Sequence, residues 1–112
     1  MSAFVEHLHE VFERFGPITT RKMFGGHGIY HDGLMFALVA DDTLYLKADS
    51  ENTAHFEKLG LGPFEYDKGG KLVKMSYFQA PEDIFEDRGL AATWAARSFE
   101  AALRAQRKKK RR

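Results

Sequence analysis

The chain has 112 residues, 44% of them hydrophobic and 13% aromatic, which suffices for one domain with its own core. It contains no cysteine, so disulfides, zinc–thiolate sites and thiol nucleophiles are excluded. The net charge of +1 is unevenly distributed, because residues 107–112 are all basic and residues 1–106 carry 11 basic and 16 acidic side chains. We therefore expect an acidic domain over residues 1–106 and a basic C-terminal tail over residues 107–112.

A first helix is predicted over about residues 3–15, because five apolar side chains recur at helical spacing and Gly16-Pro17 follows as a stop signal. Three strands are predicted next, over residues 19–30, 34–40 and 43–47, with reversals at Asp32-Gly33 and Asp41-Asp42. They form a three-stranded antiparallel meander. The middle strand shows no alternation, which predicts that both of its faces are at least partly covered.

A short second helix is predicted to begin at Asp49 or Ser50 and to end at Leu59, with Phe56 and Leu59 turned inward. A hairpin follows, with strands over residues 64–67 and 72–77 around a Gly-Gly turn, and Val73, Met75 and Tyr77 share one face of its second strand.

A final helix is predicted over about residues 88–107. The element order α-β(3)-α-β(2)-α indicates a two-layer α+β fold with helices on an antiparallel sheet.

The segment over residues 21–30 has three glycines in four positions, which favours either a small-ligand cradle or a bend in a strand. Phosphate-binding loops lead from a strand into a helix, whereas more strand follows here, without dinucleotide-binding or Walker spacing. We therefore favour a bend or bulge in the first strand. The alternative is an anion-binding or enzymatic site, although Arg21 and Lys22 point to opposite faces of a strand. Its residues would be Arg21, Lys22, Gly25, Gly26, His27 and Gly28.

Other chemical sites find little support. The five histidines lack metal-ligand spacing, and Ser76 and Ser98 have no base that the sequence assigns to them. The sequence therefore indicates no catalytic residue, no metal and no cofactor. The longest apolar run, residues 34–40, is too short to cross a bilayer, so we expect a cytoplasmic protein without membrane contact.

Two features of the C-terminal part suggest partners. Trp94 falls about 140° around the last helix from Phe99, near Leu90 and Ala101. It either packs on the segment over residues 84–85 or anchors a partner or dimer surface with Leu90 and Ala101. The tail is either a phosphate-contacting arm with weak, salt-dependent affinity for nucleic acid or a solubilising helix end. The tail consists of Arg107, Lys108, Lys109, Lys110, Arg111 and Arg112.

Several blocks, in one order, resemble the N-terminal domain of the TfoX/Sxy family of bacterial competence regulators. They lie within residues 10–105 and are residues 21–30, 35–47, 63–66, 74–78 and 81–83, together with Trp94. The resemblance implies a two-layer α+β domain similar to secretion chaperones. It also implies transcription co-activation with the cAMP receptor protein, in members that carry a second, helical domain where this chain ends.

The expected function is therefore that of a non-enzymatic domain acting through protein contacts in competence-type transcriptional regulation. The transcription machinery is one candidate partner, and the tail could add weak nucleic-acid binding. Both a monomer and a homodimer are compatible with the sequence.

Overall fold

The computed structural model describes residues 3–23 and 25–110. A short 3-10 helix, Glu82–Phe85, precedes the last helix. The other elements, in chain order, are α1 (Ala3–Val11), β1 (Thr19–Met23), β2 (Gly26–His31), β3 (Leu34–Ala40), β4 (Thr43–Lys47), α2 (Thr53–Glu57), β5 (Pro63–Lys68), β6 (Lys71–Gln79) and α3 (Arg88–Lys110). The α+β class is confirmed, but the order is α-β(4)-α-β(2)-α, since the predicted first strand is two strands.

The six strands form one antiparallel sheet in the order β1-β2-β3-β4-β6-β5. The first four strands form a meander, and the β5–β6 hairpin joins it through pairing of β6 with β4. The predicted reversals are confirmed. Asp32 and Gly33 have φ values of 48° and 78°, and Asp41 and Asp42 have values of 51° and 54°, as two-residue type I′ hairpins require.

A bulge in β3 explains why this strand shows no alternation. Ile29 of β2 lies opposite Ala37, but the next residue, Tyr30, lies opposite Met35, which leaves Phe36 as an extra residue. A bulge of this kind turns Phe36 and Ala37 toward the same side. Phe36 is fully buried there, with its ring centroid 5.5 Å from that of Phe12. The predicted cover on both faces is confirmed, because Leu38 on the opposite side of the strand is buried as well.

The helices pack on one face of the sheet, which we call the inner face. The hydrophobic core joins side chains of all three helices to this face. Its sheet residues include Ile29, Phe36, Ala37, Val39, Leu44 and Leu46, and its helix residues include Leu8, Val11, Phe56, Ala91, Trp94 and Ala95. The opposite side of the sheet is called the outer face below.

The helix boundaries differ from the predicted ones. α1 ends at Val11, and turns carry the chain on to Phe15. α2 begins after Asn52 rather than at Asp49 or Ser50, because the Asp49 carboxylate instead accepts the N–H of Glu51 in a preceding turn.

Two further differences concern the ends of α2 and α3. Because α2 ends at Glu57, Leu59 lies in the following turn and is 57% exposed, so its predicted inward orientation is wrong. α3 continues to Lys110, beyond the predicted end at residue 107. Within the described residues, no helix combines the length and apolar character needed to cross a membrane.

Candidate functional site

The glycine-rich segment forms a hairpin between two strands, so the predicted bend within one long strand is wrong. Met23 pairs with Gly26, and Gly25 in the connection has a φ of 75°, a value that favours glycine. A Cβ atom on Gly26 would lie 2.0 Å from the carbonyl oxygen of Val39. These glycines therefore permit a tight reversal and a close approach of β2 to β3. Phe24 lies outside the described residues.

The basic side chains of this segment do not converge. Arg21 lies opposite Gly28 and Lys22 opposite His27, so the two cations occupy different faces of the sheet. The Arg21 guanidinium carbon lies 5.5 Å from the centroid of the Tyr30 ring, and no ion pair of Arg21 is seen within the described residues. An open hollow of about 350 Å³ beside the hairpin is lined by Lys22, Met23, Gly25, Gly26 and His27. Arg21 does not line this hollow, which weakens the case for an anion site that uses all of these groups.

Trp94 is buried, at 6% exposure, with its ring centroid 5.0 Å from that of Phe56 in α2. Ala101 is fully buried and Leu90 is half-buried against the core. The predicted partner surface is wrong to the extent that it requires Trp94 and Ala101 to be exposed. The alternative, internal packing, holds, since Trp94 contacts the ring of Phe56 and belongs to the same hydrophobic core as Ile84. Local helical spacing could not reveal this contact between α2 and α3.

The outer face has a distinct chemistry. The register places Arg21, Gly28, Leu38, Tyr45 and Gln79 side by side across five strands. All four tyrosines of the chain and three of its methionines fall on this face by strand alternation and register. They are Met23, Tyr30, Met35, Tyr45, Tyr66, Met75 and Tyr77.

The aromatic rings of the outer face contact one another. The ring of Phe64 lies 4.9 Å from that of Tyr45 and is stacked on that of Tyr66 at 6.2 Å, measured between centroids. Tyr66 is 38% exposed, whereas Tyr77 is buried among its neighbours. Burial, with a smaller contribution from Tyr30, raises the pKa of Tyr77 to about 12. The outer face therefore combines a buried ring, that of Tyr77, with an exposed ring, that of Tyr66.

Four basic side chains lie on the same face: Arg21, Lys47, Lys68 and Lys71. No carboxylate occupies a strand position of this face in the described part of the chain, since Glu65 and Asp67 alternate onto the other side.

Lys47 connects the outer face to Ser76. Its Nζ donates a hydrogen bond of 2.8 Å to Ser76 Oγ and lies 5.1 Å from the centroid of the Tyr77 ring. Burial lowers the pKa of Lys47, with smaller opposing contributions from Asp49, which raises it, and Lys109, which lowers it. The sequence assigned no base to Ser76. The amine of Lys47 therefore contacts both the Ser76 hydroxyl and the face of an aromatic ring.

The basic tail begins as the last turn of α3, which includes residues 107–110, whereas Arg111 and Arg112 lie outside the described residues. The end of α3 borders the outer face. Gln106 and Lys109 line a cavity of about 380 Å³ together with Met35, Lys47 and Tyr77. The structure thus brings Lys109 of the predicted tail next to the outer face, a juxtaposition that no local sequence pattern signals.

An acidic groove of about 490 Å³ lies near the start of β4. Its apolar lining includes Leu44 and the rings of Phe4 and Phe85, whose centroids are 5.7 Å apart. Four exposed carboxylates surround it, and no basic residue is among its described lining residues. The carboxylates are Asp42, Glu82, Asp83 and Glu86. Neither in this groove nor elsewhere in the described residues are three histidine or carboxylate side chains placed so that they could hold a metal ion.

The structure is that of a two-layer α+β domain with an open acidic groove and an aromatic outer face. Residues 10–102 match the TfoX N-terminal domain family, and the chain belongs to this family, as its ordered motifs predicted. It is 36% identical over 88 residues to DNA transformation protein TfoX1 of Aliivibrio fischeri, and this match covers 75% of this chain and 42% of that protein. It is 27% identical over 95 residues to Protein Sxy of Escherichia coli K12, and this match covers 85% of this chain and 46% of that protein. The chain thus spans less than half the length of these relatives.

Proposed function

We propose that this domain is a non-enzymatic module of a regulator of DNA transformation, and that it acts in competence-type transcriptional regulation by binding a protein partner. The proposal is supported by family membership and by its similarity to a protein named for DNA transformation. We assign the contact with the protein partner to the acidic groove. The apolar and acidic lining of this groove is the observation that carries the proposal.

The groove favours a cationic partner segment. Its apolar lining would accept an aliphatic or aromatic side chain, and its four carboxylates would pair with lysine or arginine side chains around it. Phe4 and Phe85 are only half-buried in the isolated domain, so a partner would gain apolar contact area by covering them. We therefore infer that the partner presents a basic segment with at least one large apolar side chain.

An enzymatic or small-anion function is less well supported. The candidate cations at the glycine-rich hairpin lie on different faces of the sheet. The Lys47–Ser76 pair lies beside the Tyr77 ring, and no further hydrogen bond that would orient it is seen among the described residues. Neither arrangement provides the converging groups that an anion pocket or a nucleophilic centre requires.

The proposal is tested with a hybrid protein in which this chain replaces the matched 88-residue segment of DNA transformation protein TfoX1 in Aliivibrio fischeri. We expect the hybrid to support transformation. The double substitution Glu82→Lys and Asp83→Lys places two positive charges on the groove and should reduce the transformation frequency by about tenfold or more.

Glu57→Lys is the matched control, because Glu57 is an exposed carboxylate on α2 that does not line the groove. Protein level and circular dichroism are compared among all variants. A folded, accumulated hybrid that does not support transformation contradicts the proposed function. Equal transformation by the groove variant and the Glu57→Lys control contradicts the assignment of the groove.

A further inference from the structure

The outer face is positively charged, whereas the domain as a whole is acidic. Residues 1–106 carry a net charge of −5, yet the strand positions of the outer face hold four cations and, among the described residues, no carboxylate. The acidic side chains of the β5–β6 hairpin alternate onto the other side. An evenly mixed surface would not separate the charges in this way, so the outer face is complementary to a polyanion.

Its aromatic side chains add a second property. Tyr45, Phe64 and Tyr66 form a continuous row of rings at one side of the face, and Tyr30 lies toward its other side under Arg21. None of these four side chains belongs to the described hydrophobic core on the inner face. Half-exposed rings on a sheet present flat surfaces on which nucleic-acid bases can stack.

The end of α3 supplies further cations at the border of this face. Lys109 and Lys47 line one cavity with Tyr77, and they are close enough for Lys109 to lower the pKa of Lys47. Asp49 also acts on Lys47 and raises its pKa by more than Lys109 lowers it, so a phosphate group would compete with this carboxylate for Lys47. Two ammonium groups that line one concave site nevertheless form a favourable position for a phosphate group. The described basic end of α3 and the outer face therefore form one continuous surface.

We propose that the outer face and the basic end of α3 together bind single-stranded nucleic acid, with bases stacked on Tyr45, Phe64 and Tyr66 and phosphates held by lysine and arginine side chains. A duplex hides the faces of its bases, so it could use the cations but not the rings. An acidic protein segment would likewise leave the rings without stacking partners. This binding is additional to the protein contact at the acidic groove and does not depend on it.

The dimensions fit a short segment of a single strand. Tyr30 on β2 and Tyr66 on β5 are separated by four strand spacings, or about 19 Å. The outer face therefore contacts only a few nucleotides of a bound nucleic acid, which lies across the β-strands of the sheet. Contacts of this kind have little dependence on base sequence, because every base offers a flat face.

The test measures fluorescence anisotropy of labelled oligothymidylate and oligouridylate of about 15 nucleotides, a length within the range of such sites, with the full chain at low salt. A duplex of the same length is measured in parallel. We expect both single strands to bind more tightly than the duplex. Comparison of the two single strands shows whether DNA or RNA is preferred.

Two matched pairs of variants test the parts of the site. Tyr66→Ala should weaken binding by about fivefold to a hundredfold, whereas Tyr66→Phe keeps the ring and should bind like the unaltered chain. Lys71→Gln on the outer face should reduce the salt slope, d log K/d log[salt], by about 0.7 in magnitude, as loss of one phosphate contact requires. Lys74→Gln, on the same strand but on the other face, should leave the slope unchanged.

Several results would overturn the proposal. One is equal affinity for duplex and single strands with no effect of Tyr66→Ala, which would indicate a purely electrostatic surface. Another is equal competition by polyglutamate at matched charge, which would indicate an acidic protein as the occupant. A third is complete loss of binding when residues 107–112 are changed to glutamine, combined with no effect of Tyr66→Ala and Lys71→Gln, which would assign binding to the tail alone. Absence of any binding at low salt would refute it directly.

Discussion

Arg104 of α3 contacts both carboxylate oxygens of Asp49, with Nε 2.6 Å from Oδ2 and Nη2 3.0 Å from Oδ1. Its Nε also lies 3.2 Å from a carboxylate oxygen of Glu51. This fork joins the last helix to the turn that follows β4, across 55 positions of the sequence. Two parallel hydrogen bonds between charged groups are stronger and more directional than one. The contact therefore holds the basic end of α3 beside the sheet.

Asp49→Asn should destabilise the domain by about 1–2 kcal/mol at neutral pH, because it removes the charge that Arg104 binds. The hydrogen bonds from Arg104 are the largest cause that lowers the pKa of Asp49 in the folded chain. A lowered folded pKa gives a stabilisation that is complete above the unfolded value, about 3.9, and that disappears as the pH falls through the folded value. Urea denaturation of both proteins at a series of pH values from neutral pH downward should show the difference in stability between them shrinking as the pH falls.

Glu57→Gln serves as a control for this experiment, because Glu57 is an exposed carboxylate of α2 that forms no ion pair with Arg104. A stability difference between the Asp49→Asn variant and the unaltered chain that stays constant down to the lowest pH would contradict the assignment to the Arg104 pair.

Gly26→Ala should destabilise the domain by about 2 kcal/mol or more. The new methyl group would meet a backbone oxygen of the neighbouring strand at 2.0 Å, and a backbone atom of a paired strand cannot move aside without disturbing the ladder. Thermal unfolding provides the measurement. Gly62→Ala is the control, because a Cβ atom there has no heavy atom within 4 Å, and we expect a change of at most about 0.5 kcal/mol. Equal stability of the two variants would refute the close approach of β2 to β3.

Phe56→Ala should cost about 3–5 kcal/mol, because its ring is 1% exposed and packs between Trp94 and Phe78. Leu59→Ala should change the stability by less than about 0.5 kcal/mol, since Leu59 is largely exposed. Trp94 is the single tryptophan of the chain, so its fluorescence during denaturation reports on this region.

If Phe56→Ala does not fold, Phe56→Leu should still fold with a smaller loss of stability, because it retains most of the apolar volume. A large effect of Leu59→Ala would mean that α2 is longer than the structure describes and that Leu59 faces inward, as helical spacing predicted.

Local patterns predicted much of the fold. Hairpins at Asp32-Gly33 and Gly69-Gly70 carry their own turn residues, and the spacing of Leu8 and Phe12 indicates a helix directly. The error at residues 19–30 has a physical cause. The residues on both sides of the reversal suit a strand, and Gly25 and Gly26 fit a bulge as well as a turn. The glycines alone therefore did not distinguish one long bulged strand from two strands joined by a hairpin.

The candidate surfaces were less predictable because they depend on long-range placement. Alternation correctly grouped Val73, Met75 and Tyr77, but only the register between strands joins them to Arg21 and Tyr45. The position of Lys109 beside Lys47 likewise depends on how α3 crosses the sheet. These relationships carry no local periodicity, so the sequence indicated the cationic tail without indicating the aromatic face next to it.

The bulge at Phe36 has a consequence for how sequences in this family are compared. One extra residue in β3 resets the strand's inside–outside phase, so that Met35 and Leu38 share the outer face although they are three residues apart. A relative that lacks this residue would have to interchange apolar and polar positions in one half of the strand to keep the same two faces. A single-residue gap at this position would therefore mark a change of surface chemistry, even where overall identity is high.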